Sequence, residues 1–143
     1  LSEHLHVGSE LIGVDHKKVE KVVVHDRIQF VLSDILDFVR ESTKNVNCVF
    51  LSGMLPLFEP AAQKEILAWI MRSADVVFIR EVPRVATMID LFFESELSSW
   101  RGYRLLEFDE LVSLLNSVGL RIMEHHRCFD MYILADNSRA SRN

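Results

Sequence analysis

Two aspartates, Asp15 and Asp34, each close a short apolar run, LIGVD and RIQFVLSD. An ionised carboxylate is a pure hydrogen-bond acceptor, so either residue could bind the donor groups of a ligand. Either could equally cap the helix expected to start just after it, since Asp is a favoured N-cap. A third apolar run, VNCVFL, ends in Ser52-Gly53, and a fourth, DVVFI, in Arg80-Glu81. Arg80 and Glu81 could bind polar groups of a substrate or form a surface ion pair of little energetic weight. The histidines do not assemble a metal site. His125 and His126 are neighbours on an expected strand, and His4 and His6 are two apart on an expected helix, so each pair points to different faces. No metal is expected. His25-Asp26 has no serine or cysteine placed to complete a nucleophilic triad. Trp100, Arg101, Tyr103 and Arg104 could stack on a base or sugar, or pack a long connection onto the domain.

The elements that must position these residues follow from apolar periodicity. Residues 1–7 read as the end of a helix stopped near Gly8. Strands are expected at 11–15, 27–33, 46–52 and 75–82, and helices at 16–24, 35–44, 59–72 and 84–98. In the second strand Ile28, Phe30 and Leu32 share a face. The run at 46–52 is apolar and rich in β-branched residues, as in a central parallel strand covered on both faces. Ala62, Ile66, Trp69 and Ile70 give the 59–72 helix an inward stripe. Phe108, Leu111, Val112, Leu115 and Val118 line a further helix, with Gly119 at its C-terminal cap. Two strand-like runs, 120–128 and 129–135, close the chain with almost nothing between them, a hairpin signature. Strands alternating with helices before a terminal hairpin predict an α/β sheet, mostly parallel. Residues 1–135 read as one domain and residues 136–143 as a polar tail.

In this order and spacing, the runs LIGVD, RIQFVLSDILDF, NVNCVFLSGMLPLF, ADVVFIREVP, FDELVSLLNSVGL, RIMEHHRC and FDMYILAD resemble the class I, Rossmann-like S-adenosylmethionine-dependent methyltransferases, from that family's first helix to its last strand. The closing strand pair separates this family from ordinary nucleotide-binding Rossmann domains. The resemblance implies S-adenosylmethionine as cofactor. Asp15 would accept hydrogen bonds from its two ribose hydroxyls and Asp34 from the adenine amino group. Ile35 would pack on the adenine ring or offer its backbone amide, and Ser52 and Gly53 would lie near the methionine part and the transferred methyl. All of these positions fall at carboxyl ends of strands, where open α/β sheets bind ligands. The resemblance also implies a sheet order of 3-2-1-4-5-7-6.

The sequence departs from the family in one respect. The five glycines stand at 8, 13, 53, 102 and 119, so no pair forms the G-x-G turn of the cofactor loop. The first, central strand of the sheet is missing as well. Neighbouring strands sit about 4.8 Å apart, so its absence leaves a gap of roughly 10 Å between residues 11–15 and 46–52 unless another segment fills it. Direct pairing of those two strands would instead overturn the family assignment of the first 15 residues. Ser52-Gly53-Met54-Leu55-Pro56 replaces the Asn/Asp-Pro-Pro-aromatic run that methylases of adenine or glutamine amino groups often carry. Three readings therefore stand: methyl transfer to an unidentified acceptor, a degenerate scaffold or binding module of the same fold, and an NAD-dependent Rossmann enzyme. The terminal hairpin and Asp34 speak against the last.

Composition sets the outer limits. A net charge of -5 argues against a broad nucleic-acid-binding surface. No apolar run approaches the ~20 residues of a membrane span. Cys48 and Cys128, both in apolar strand-like runs, read as buried free thiols in a reduced, cytoplasmic setting, and the family resemblance places them on strands that are not neighbours, so no bridge is expected.

Overall fold

The computed structural model describes residues 9–16, 26–81, 106–127 and 131–137. The helices expected at 1–7 and 84–98, most of that at 16–24, the Trp100–Arg104 cluster and Cys128 lie outside them. The chain forms two compact units, Leu1–Ser42 and Thr43–Asn143.

In the first unit β1 (Leu11–Asp15) and β2 (Ile28–Leu32) pair in parallel, Leu11 opposite Ile28 and Asp15 opposite Leu32. The burial of β2 does not alternate as expected: Ile28 and Val31 are half-buried, whereas Phe30 and Leu32 are 48% and 65% exposed. Helix α1 (Ile35–Glu41) ends three residues before its expected stop at Lys44. Ser42 takes an extended backbone there, and its N–H donates to the Phe38 carbonyl. Ser, Thr and Asn, which fill positions 42, 43 and 45, compete for backbone hydrogen bonds and favour helix ends.

The second unit is a four-stranded sheet in the order β3-β4-β6-β5, formed by β3 (Val46–Ser52), β4 (Ala74–Glu81), β5 (Leu120–Arg127) and β6 (Met131–Asn137). Strands β3 and β4 are parallel, whereas β6 runs antiparallel to both β4 and β5. Helices α2 (Pro60–Ser73) and α3 (Phe108–Val118) supply the apolar cover. Leu51, Val77, Ile79, Ile133 and Ala135 from the sheet are buried with Ile66, Leu67, Ile70, Leu111 and Leu115 from the helices. Helix α3 begins with a capping box between Glu107 and Glu110 and stops at Gly119, whose φ of 88° is a left-handed conformation that suits glycine.

Three expectations shift. The opposite face of β3 carries Cys48 and Phe50, both exposed, so among the described residues this strand is covered on one face only and the Cys48 thiol is not buried. Phe50 stacks on Phe78 of β4, ring centroids 5.4 Å apart. Strand β6 continues two residues past Ala135, because Asp136 has a partner across the ladder. Arg121 grips its carboxylate with both Nε (3.0 Å) and Nη2 (2.6 Å). This pairing holds the Asp136 carboxyl below the usual range.

Strands β1 and β3 do not pair with each other. Each observed order, β1-β2 and β3-β4-β6-β5, taken by itself matches a segment of the expected order, 3-2 and 4-5-7-6.

Candidate functional site

The parallel register of β1 and β2 brings Asp15 and Asp34 to the same, carboxyl end of one sheet: Asp15 is opposite Leu32, and Asp34 follows two residues later. Asp15 is exposed, and its Oδ1 lies 3.4 Å from Nδ1 of His16. Asp34 caps α1, its Oδ1 accepting the Leu36 N–H at 2.8 Å. The capping reading is thus realised, and it occupies one oxygen of an exposed carboxylate whose second oxygen can still serve a ligand. Ile35 opens α1 and is half-buried beside it. Asp34→Ala is expected to destabilise the first unit by about 1 kcal/mol, with Asp34→Ser restoring most of the loss. Urea melts of the two variants check this, and equal stability of wild type and Asp34→Ala would remove the cap from the account.

Ser52 and Gly53 stand at the carboxyl end of β3, in the second unit. Ser52 is exposed and lies opposite Arg80. The Gly53 N–H donates to the Arg80 carbonyl at 2.9 Å, which carries the ladder one residue past the strand. Gly53 has φ 60°, and a Cβ built on it would meet nothing within 4 Å among the described residues. A left-handed residue facing open space is what a backbone needs where a ligand comes close.

Beneath this turn lies a polar group that the sequence reading misplaced. Glu81 is neither a surface ion-pair member nor a substrate contact at the sheet edge. It is 1% exposed, and its Oε1 accepts the N–H groups of Met54 (3.2 Å) and Leu55 (3.1 Å). Its Oε2 is buried and meets no hydrogen-bond partner among the described residues. Burial pushes the carboxyl up to about 7, against the smaller opposing effect of the two amides. From α2, the buried Gln63 donates through Nε2 to the carbonyls of Leu55 (2.9 Å) and Phe58 (3.0 Å). Both residues carried a signal in the sequence. Glu81 is in phase with Val77 and Ile79 on the inward face of a period-two strand, and Gln63 is in phase with Ile66, Leu67 and Ile70 on the inward face of a helix.

His125 and His126 are both exposed; His125 lies against the Phe108 ring at 4.9 Å, and His126 Nε2 meets Glu124 Oε1 at 2.8 Å. No described helix is long and apolar enough to cross a membrane.

No protein-family profile matches the chain, and no curated protein matches it in sequence. Solved structures do match in shape. The pyocyanin biosynthetic protein PhzM superimposes with a TM-score of 0.66 at 20% identity, over 78% of this chain and 35% of its own. An O-methyltransferase family protein from Burkholderia thailandensis gives 0.67 at 14% identity, over 78% and 36%. The magnesium protoporphyrin IX methyltransferase ChlM from Synechocystis PCC 6803, solved with bound SAH, gives 0.61 at 11% identity, over 81% and 54%. The chain thus spans between about a third and about half of the length of these structures. Sheet order, terminal strand pair and superposition agree: the described elements have the fold of the class I, Rossmann-like methyltransferases.

Proposed function

We propose that this chain is the cofactor-binding part of an S-adenosylmethionine-dependent methyltransferase acting, in a reducing, cytoplasmic compartment, on an acceptor yet to be identified. The observation that carries the reading is the placement of two exposed carboxylates, Asp15 and Asp34, at the carboxyl end of parallel strands. The fold is shared with proteins solved with SAH bound. The residues fit such a cofactor chemically. Asp15 offers acceptors to vicinal hydroxyls, Asp34 an acceptor to an exocyclic amine, and Ile35 an apolar edge to a purine. In the second unit, taken by itself, Ser52 and the Gly53 turn present an exposed backbone of the kind the family resemblance associates with the methionine part. The cofactor brings an activated methyl on sulfur, a good leaving group, so the protein's contribution is to position the acceptor and exclude water.

Asp15→Ala in the full-length protein is expected to weaken S-adenosylhomocysteine binding by about 1–3 kcal/mol, the cost of leaving hydroxyls without a charged acceptor. Isothermal titration measures it, and an unchanged affinity would remove Asp15 from the site. A wild-type protein that binds neither S-adenosylhomocysteine nor S-adenosylmethionine would favour the scaffold reading.

A further inference from the structure

The turn after β3 is held from two directions by buried polar side chains. Glu81 comes up from β4 and accepts two successive N–H groups, those of Met54 and Leu55. Gln63 comes across from α2 and donates to two carbonyls, those of Leu55 and Phe58. Leu55, 0% exposed, is gripped through both its N–H and its C=O. The remaining turns close on the same segment, with Leu57 N–H to the Met54 carbonyl and Phe58 N–H to the Leu55 carbonyl, both 3.1 Å. Residues 53–58 thus have their backbone groups met by specific partners at nearly every step.

The arrangement carries an energetic cost. Glu81 continues the inward row of Val77 and Ile79, both 0% exposed, where a leucine would pack without desolvating a carboxyl. Among the described residues one carboxyl oxygen lacks a partner, and a buried polar atom left unsatisfied is unfavourable. Positions that break the local rule without gain in stability concentrate where geometry serves a site. The geometry held here is the left-handed turn at Gly53, immediately before the two captured amides.

We propose that Glu81 and Gln63 are positioning residues of the cofactor site, clamping the 53–58 segment so that Ser52 and the open Gly53 turn are presented to the ligand already ordered. The proposal rests on the functional reading above. A segment fixed in its binding conformation loses less entropy when the ligand arrives, so the clamp raises affinity without touching the ligand.

Amide exchange and S-adenosylhomocysteine titration on the full-length protein test it, with Glu81→Leu, Glu81→Gln and Gln63→Leu compared with wild type. Glu81→Leu removes the acceptor, Glu81→Gln keeps a carbonyl oxygen for it, and Gln63→Leu releases the other side should Glu81→Leu fail to fold. The expected result is rapid exchange at Met54 and Leu55 in Glu81→Leu, with β3 and α2 still protected. Affinity should fall about tenfold in Glu81→Leu and in Gln63→Leu and return to within about twofold of wild type in Glu81→Gln. Wild-type affinity in a folded Glu81→Leu or Gln63→Leu protein whose 53–58 amides exchange freely overturns the clamp alone. Absence of binding by wild type overturns the functional reading, and the proposal with it.

Discussion

Replacing Leu115 by alanine is expected to cost the second unit about 2–5 kcal/mol of stability, the range for a leucine removed from a core that cannot fully collapse around the space. Leu115 is 0% exposed, and it faces inward from α3 with Leu111 and Val118, the three buried residues of that helix. It sits on the same face as Leu111, one turn away, so the alanine opens a hole between the helix and the sheet rather than at a rim. A domain is stable by only about 5–15 kcal/mol, so this change takes a large share. Leu57, 53% exposed, is the control, and its alanine variant should stay within about 0.5 kcal/mol of wild type. Urea melts should show a lower midpoint with an unchanged slope for Leu115→Ala. A loss below about 1 kcal/mol would mean that α3 does not pack as described.

The second large effect belongs to Glu81 and depends on pH. Its carboxyl titrates near 7 in the folded chain against an ordinary value of 4.5. The folded state therefore holds the proton more tightly than the unfolded state. The associated stability is fully present below about pH 4.5 and is lost as pH rises through about 7, for a total of about 3 kcal/mol. Glu81→Gln is isosteric, keeps an acceptor for Met54 and Leu55 and never ionises. It should match wild type within about 1 kcal/mol near pH 5 and exceed it by an additional 2–3 kcal/mol or so near pH 8. Denaturant melts of both proteins across that interval decide the point. Parallel stability curves would show that the Glu81 carboxyl is hydrated or paired, and the burial described here would be wrong.

Most strands and helices were legible from their own apolar periods, whereas their order in the sheet came from the family resemblance. Gly119 marked the end of α3 because a left-handed residue there has a chemical signature. Local order alone could not show what lies over a strand. VNCVFLS has the composition of a strand covered on both faces, yet covering depends on segments distant in sequence, and Cys48 and Phe50 are exposed. Asp34 shows a different limit. A carboxylate at a strand end followed by a helix satisfies a cap and a ligand site with the same residue type, so spacing could not choose between them. Glu81 was misplaced because its charge was weighed above its phase. The strand pattern puts it inside, and only the neighbouring turn, 26 residues away at Leu55, supplies the amides that make burial tolerable.

Strands β1 and β3 each have a single hydrogen-bonded neighbour among the described residues. The free side of β3 runs through Val46-Asn47-Cys48-Val49-Phe50-Leu51-Ser52, which contains no charged residue and no proline. Natural edges are usually guarded by lysine, proline or a bulge, and this one has none of these guards. Its composition is also that of segments that stack into cross-β assemblies. During synthesis or after proteolytic clipping, any interval in which this rim is left bare is one in which chains can add to one another as strands. Handling of the isolated polypeptide would then be governed by concentration and time: clear solutions when dilute and fresh, fibrillar or amorphous precipitate on standing.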